Sequence, residues 1–178
     1  MPLTQLDPIA ALIVIDLQKG IVSIPNTAHS TSEVVDRSAQ LARAFRQKNL
    51  PVVLVNVTPL PAGRTDIARP QMSLPLDWAD LVPDLDVKPT DHLVTKHRPG
   101  AYLRSRNVTQ LFLCGTSTSV GVESTARSAY DHGYNVVLVT DAMTDRTLES
   151  HRHSVESVFP RIAETCTTTE ALKCLSSE

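Results

Sequence analysis

The stretch Leu111-Phe-Leu-Cys-Gly-Thr-Ser-Thr-Ser-Val-Gly-Val-Glu-Ser-Thr-Ala-Arg127 decides how this chain is read. Four apolar residues give way to small and hydroxylated ones, then to a helical pattern. A buried strand therefore runs into a tight turn, and a helix opens with Gly121 in its first turn. That turn has the form of a nucleophile site, yet residues 116–121 include no cysteine, and position 121 is neither Ser nor Thr. Ser117, Thr118 and Ser119 could act as nucleophiles, although hydroxyls at such places more often cap helices and close turns. Cys114 sits in the strand itself and reads as core.

The same alternation extends in both directions. Residues 11–15, 52–57, 92–95 and 136–140 are short, continuous apolar runs rich in β-branched side chains, as strands buried on both faces should be. Between them, Ser30-Thr-Ser-Glu33 resembles a capping box, opening a helix with Val34, Ser38, Leu41 and Phe45 on one stripe. Asn49 and Pro51 punctuate its end. Residues 122–132 form a second helical pattern closed by Gly133, and residues 148–159 a third. A weak strand at 164–167 and a short C-terminal helix complete the series. The Pro-rich residues 59–89 read as a surface excursion with one short helix at 76–81. Repeated βα units with right-handed crossovers predict an α/β fold: an open, doubly wound parallel sheet with helices on both faces, a Rossmann-like three-layer sandwich. With no internal repeat or linker, residues 1–178 are expected to form a single domain.

Composition narrows the function classes. The chain has 178 residues, 42% apolar and 20% charged, with net charge −2. Scattered Lys and Arg argue against a nucleic-acid footprint, which needs a clustered basic face. Three cysteines without paired spacing look like reduced thiols of a cytoplasmic protein. The N-terminus lacks a signal-peptide pattern, and no apolar run approaches the roughly 20 residues of a membrane span. Six histidines suggest no metal: the only close pair, His151-Arg-His153, falls on different faces of a helix. Neither a Gly-x-Gly-x-x-Gly nor a phosphate loop is present, so no nucleotide and no other cofactor is expected.

In open parallel sheets ligands bind beyond the carboxyl ends of the strands. That rule selects Asp16 after the first strand, Asn56 and Thr58 at the end of the second and Lys96 at the end of the third. It also selects the turn at 116–121 and Asp141 after the fifth strand. Asp16 follows a wholly apolar run, so its carboxyl group is expected to be partly desolvated, with its pKa raised towards acid or base duty. A loop or helix cap is the equal alternative. Lys96 could hold a carboxylate charged or orient a substrate anion; a solvated basic loop is the commoner role. Gly121, near a helix start, offers backbone amides to an anion or developing oxyanion, whereas an isolated glycine ordinarily serves loop geometry. Arg64 could reach an anionic ligand, though solvated loop arginines are more frequent.

Three segments together carry a resemblance: Ala11-Leu-Ile-Val-Ile-Asp-Leu-Gln18, Val94-Thr-Lys-His-Arg-Pro-Gly-Ala-Tyr102, and the run from Gly115 to Tyr134. Asp141-Ala-Met143 and His151 fit the downstream pattern. The chain resembles the isochorismatase-like hydrolase superfamily, which includes isochorismatases, nicotinamidases and carbamoyl-amide hydrolases. The resemblance covers nearly the whole sequence and implies six parallel strands in the order 3-2-1-4-5-6. In the amidase branches an Asp–Lys–Cys triad attacks an amide carbon. Asp16 and Lys96 fall on the first two positions and Gly121 on the third, so the thiol route is missing. The isochorismatase branch is similar in having glycine there. It implies Asp16 as general acid towards a vinyl ether and Lys96 tuning it or binding a carboxylate, while the Gly121 turn admits the substrate to the backbone. Gln18, Asn56, Arg64 and Tyr102, with Ser117 and Thr118, are the candidate substrate contacts. Family members commonly form homodimers or homotetramers.

One departure accompanies the glycine. After Tyr102 only Leu103-Arg-Ser-Arg-Asn-Val108 precedes the next strand, and a Thr-x-Leu element usual in the family is missing, so the crossover helix is expected to be short or absent. The leading expectation is a metal-free hydrolase of a small anionic enol ether such as isochorismate. The alternatives are a catalytically silent member binding a small ligand or partner, and an amide or ester hydrolase using water activated by Asp16.

Overall fold

Strand β1 (Ala10–Ile15) sets the layers. In the computed structural model, which describes residues 3–57, 74–96 and 107–176, β1 is buried at every position. Ala10, Leu12 and Val14 join one core cluster, and Ala11, Ile13 and Ile15 join the other, because successive strand side chains point to opposite faces. Such a strand needs a helical layer on each side.

In chain order there follow α1 (Lys19–Val22), α2 (Thr31–Gln47), β2 (Val52–Val57), β3 (His92–Lys96), β4 (Gln110–Thr116), α3 (Glu123–Asp131), β5 (Asn135–Thr144), α4 (Leu148–Arg152), β6 (Glu164–Cys166) and α5 (Thr168–Ser176). The six strands are all parallel, in the order β3-β2-β1-β4-β5-β6. This is the doubly wound sheet and the strand order expected from the sequence. The winding reverses between β1 and β4, which opens a crevice at their carboxyl ends.

Helices α2 and α5 cover one face, with Val34, Leu41, Phe45 and Leu175 in its core. Phe45 meets Phe112 of β4 edge-on at 5.3 Å between ring centroids, and truncating either to Ala should cost about 3–5 kcal/mol. The other face takes Val122, Ala126 and Ala129 from around α3, with Val158 and Phe159 from beyond α4. The capping box at the start of α2 forms as predicted. The Glu33 N–H donates to Ser30 Oγ at 3.3 Å, and the Ser30 N–H donates to Glu33 Oε2 at 3.1 Å.

Three elements differ from the sequence reading. Residues 76–80 form a turn and a bend rather than a helix and Leu81 bridges to Gln18, because their backbone pairs with the residues that lead from β1 into α1. The N–H groups of Lys19 and Gly20 donate to Asp80 O at 2.8 Å and Trp78 O at 3.0 Å. The Trp78 ring packs so closely on Gly20 that a Cβ there would come within 2.1 Å of it. The helix expected at 148–159 is α4 followed by a π-helical turn, His153–Val158, and a 3-10 turn, Phe159–Arg161. Pro160, lacking an N–H, suits this tightening. Strand β5 runs on to Thr144, and its pairing with β4 jumps from Leu113–Leu138 to Gly115–Met143 across a bulge. The connection that carries Tyr102, expected to be short or without a helix, lies outside the described residues.

Candidate active site

The apolar run of β1 delivers Asp16 to the carboxyl edge of the sheet. There its backbone turns into the left-handed region, φ 54°, which Asp tolerates better than most residues. Its N–H still donates to Val55 O at 2.8 Å, and the residue is only 6% exposed. A carboxylate is thus held at the mouth of a hydrophobic sheet.

Strand β4 brings the second partner. Gly115 lies opposite Ile15 in the parallel ladder, with φ 117°, and a Cβ there would come within 2.1 Å of Ile15 O; only glycine allows that approach. The Thr116–Ser117 peptide is cis. A π-helical turn, Thr118–Val122, then leads into α3. Gly121 is buried in this turn. A Cβ on it would stand 3.3 Å from Asp16 Oδ2, 3.1 Å from Ile15 Cγ2 and 3.2 Å from Thr116 O. The two residues that the sequence singles out most strongly therefore face each other.

A buried polar network holds the turn. Thr118 Oγ1 lies 2.9 Å from His151 Nδ1, and the His29 ring meets the His151 ring edge-on at 5.7 Å. Thr144 Oγ1 accepts from the His29 N–H at 3.1 Å and donates to His29 O at 2.8 Å. Asp145 Oδ2 accepts from the Ser119 N–H at 2.6 Å, and its Oδ1 accepts from the Arg146 N–H at 2.8 Å. Burial, reinforced by His29, pushes the His151 pKa below its usual value against the opposing pull of Asp145. A neutral imidazole is thereby favoured beside Thr118.

His29, Thr144 and Asp145 were not singled out by sequence reasoning, and His151 only by resemblance. Asp145 was within reach of the strand-end rule, had β5 been drawn to Thr144 instead of residue 140. The other contacts arise from elements far apart in sequence and leave no local signal.

The remaining candidates fall in several places. Gln18 is fully buried. Its Nε2 donates to Val57 O at 3.1 Å and Trp78 O at 3.3 Å, while its Oε1 accepts from the Val57 N–H at 2.8 Å. Its amide thus ties the ends of β1 and β2 to the turn at 76–81. Asn56 Nδ2 donates to Ala79 O at 2.9 Å. Ser117 O accepts from Val120 and Val122 N–H groups at 3.2 and 3.1 Å. Lys96 ends β3 in register with Val57, two strand spacings or about 10 Å of sheet from β1. Its side chain lies outside the described residues, as do Thr58, Arg64 and Tyr102. Asp141 lies within β5 and not beyond it. Its Oδ1 accepts from the Thr168 N–H at 2.7 Å and hydroxyl at 2.9 Å, fastening β5 to α5.

Cys114 is fully buried, as expected of a core residue, and burial pushes its thiol up to about 12. Among the described residues no group of three or more His, Cys, Asp and Glu is arranged to hold a metal ion. No helix among them is long and apolar enough to cross a membrane.

Known proteins resemble this chain in sequence and fold. The family model of the Isochorismatase domain matches residues 10–170. An uncharacterized isochorismatase family protein of Bacillus subtilis is 37% identical over 180 residues, covering 92% of both chains. Another from Escherichia coli O157:H7 is 36% identical over 179 residues, covering 93% of this chain and 95% of its own. The solved structure of an isochorismatase family protein from Burkholderia thailandensis superposes with a TM-score of 0.91 at 36% identity, covering 97% of this chain and 98% of that one. With its sheet, its crevice and its relatives in agreement over nearly the full length, the chain belongs to the isochorismatase family of hydrolases.

Proposed function

We propose that the protein hydrolyses a small anionic enol ether of the isochorismate type, with Asp16 as general acid. The observation that carries this reading is the closeness of the Asp16 carboxyl group to Gly121. Its Oδ2 lies 3.3 Å from where a Cβ on residue 121 would stand, so no side chain at 121 comes between this carboxyl group and a substrate, and no thiol nucleophile is present there. The proton passes from Asp16 to the terminal methylene carbon, and the electron pair of the C=C bond forms the new C–H bond. The adjacent carbon becomes an oxocarbenium ion. Water adds to that carbon and returns a proton to Asp16. The resulting hemiketal then collapses with cleavage of the ether C–O bond, releasing pyruvate and an alcohol.

Electrostatics favour this route over amide hydrolysis. An amide route builds negative charge on an oxygen, which backbone amides at a helix start would hold. In this turn the Ser119 amide is already committed to the Asp145 carboxylate at 2.6 Å, so one donor is spent and a like charge sits beside it. An enol-ether route builds positive charge instead, which carboxylates stabilise. In the proposal Lys96 binds the substrate carboxylate or tunes Asp16, and Arg64, Tyr102, Asn56 and Ser117 are candidate substrate contacts.

The test is pyruvate release from isochorismate, followed with a coupled dehydrogenase. Turnover should vanish in Asp16→Asn and Asp16→Ala, and the wild-type rate should fall as pH rises and the acid form is depleted. Absence of pyruvate at high enzyme concentration would sink the reading. So would full activity in Asp16→Asn.

A further inference from the structure

We infer that a second ligand site, for a small oxyanion, lies at the opposite end of the sheet from Asp16. A cavity of about 530 Å³ opens there, lined by Arg46 and Asn49 at the end of α2, Pro51 before β2, and Thr90, Asp91 and His92 leading into β3. Two of these residues carry nitrogens with an unmet need. Arg46 Nη1 and His92 Nε2 are both buried and have no hydrogen-bond partner among the described residues. Burying a donor without a partner costs the full desolvation of the group, so such atoms are rare in folded proteins. The two residues that carry them come from different elements and line the same cavity, where an acceptor beside them would meet both needs.

The surroundings select an anion. Arg46 is held rigidly: its Nε donates to Asp91 Oδ1 at 2.9 Å, and its Nη2 donates to Asp91 Oδ2 at 2.7 Å and to Leu85 O at 3.2 Å. One edge of the guanidinium is fixed by a buried carboxylate, and Nη1 is left with two protons to give. Asp91 is itself satisfied, since its Oδ2 also accepts from the Lys88 N–H at 2.8 Å. It therefore orients Arg46 without offering Nη1 an acceptor. An N–H on His92 Nε2 would supply a second donor. A guanidinium and an imidazole lining one cavity suit a carboxylate or a phosphate, both of which accept several charge-assisted hydrogen bonds.

The site is independent of the proposed reaction. His92 opens β3 opposite Val53, whereas Lys96 closes it opposite Val57, so the strand separates this cavity from the crevice that holds Asp16. An occupant there would act on the protein from a distance.

The full-length protein should be titrated with benzoate and, separately, with inorganic phosphate, against chloride at equal ionic strength, following thermal stability. One or both anions should raise the melting temperature in a saturable way, and the arm that does so identifies the ligand as carboxylate or phosphate. The effect should persist in Asp16→Asn. The half-saturating concentration should rise about tenfold or more in Arg46→Lys, which keeps a charge for Asp91 but removes Nη1, and in His92→Phe. Should Arg46→Lys fail to fold, His92→Phe and the shift of the His92 ring signals on titration decide. No stabilisation beyond chloride, or one unchanged by these substitutions, overturns the inference.

Discussion

Asp16 and Gly121 meet across the junction of β1 and β4, where a methyl group on residue 121 would stand 3.3 Å from Asp16 Oδ2. The distance makes position 121 a sensitive one for the proposed site. Any side chain placed there would press on the carboxyl group, and glycine adds none. Ile15 Cγ2 and Thr116 O crowd the same point at 3.1 and 3.2 Å.

Gly121→Ala should therefore be costly to function beyond its effect on the fold. Its Cβ meets a backbone oxygen and a carboxylate, neither of which can easily withdraw, and overpacking of this kind costs about 1–3 kcal/mol. The expected result is a lowered melting temperature together with a fall of kcat/KM by about tenfold or more. Unchanged kinetics in a folded Gly121→Ala protein would show that substrate does not use this space.

Gln18→Ala should weaken the wall of the site. The Gln18 amide serves both backbone groups of Val57 and the carbonyl of Trp78; losing it leaves partly buried groups unsatisfied, at about 1–3 kcal/mol. Trp78 is the only tryptophan in the chain, and it packs on Gly20. Its fluorescence should shift to the red as the turn at 76–81 loosens. A urea midpoint and emission spectrum identical to wild type would contradict this role.

The contrast between Asp16 and Gln18 marks how far the sequence can be read. Asp16 was legible as a strand-end carboxylate because an apolar run leads straight into it, although position alone left a cap equally open, and Gly121 drew attention through its strand–turn–helix setting and the family resemblance. The sheet followed from buried strands that alternate with helices. Gln18 sits two residues from Asp16, but nothing local says that its amide turns back to the backbone of β2. The network of Thr118, His151, His29, Thr144 and Asp145 was hidden for the same reason. It exists only because the register of β4 and β5 sets Thr116 beside Thr144 and carries their loops together. The end of β5 was misjudged because the strand crosses a bulge, and the polar Thr140 and Asp141 within it read as a terminus.

His151 gives the fold a pH dependence of definite sign. Its pKa is held below the ordinary 6.5 by burial and by His29, so at mildly acidic pH the unfolded chain binds more protons than the folded one. Stability rises with pH wherever that is so. The contribution of His151 should be fully present above about pH 6.5 and be lost as pH falls towards its folded pKa. Urea midpoints measured from pH 7.5 down to pH 5 should decline, and His151→Gln should flatten the decline while lowering stability at neutral pH. A wild-type midpoint that rises on acidification, or a slope untouched in His151→Gln, would contradict the assignment.

Thiol chemistry offers a direct check of the proposal that catalysis proceeds without cysteine. Alkylating reagents attack thiolates, and burial pushes both Cys114 and Cys166 up to about 12. At pH 8 only about one molecule in ten thousand would carry either thiolate, and both side chains are shielded from reagent. Cys174, half-buried on α5, is the most accessible of the three. Iodoacetamide at pH 8 should label Cys174 first in the native protein and leave pyruvate release undiminished, with mass spectrometry locating the label. Inactivation in step with labelling at Cys114 would return a thiol to the mechanism and remove the case for Asp16 acting as the sole proton donor.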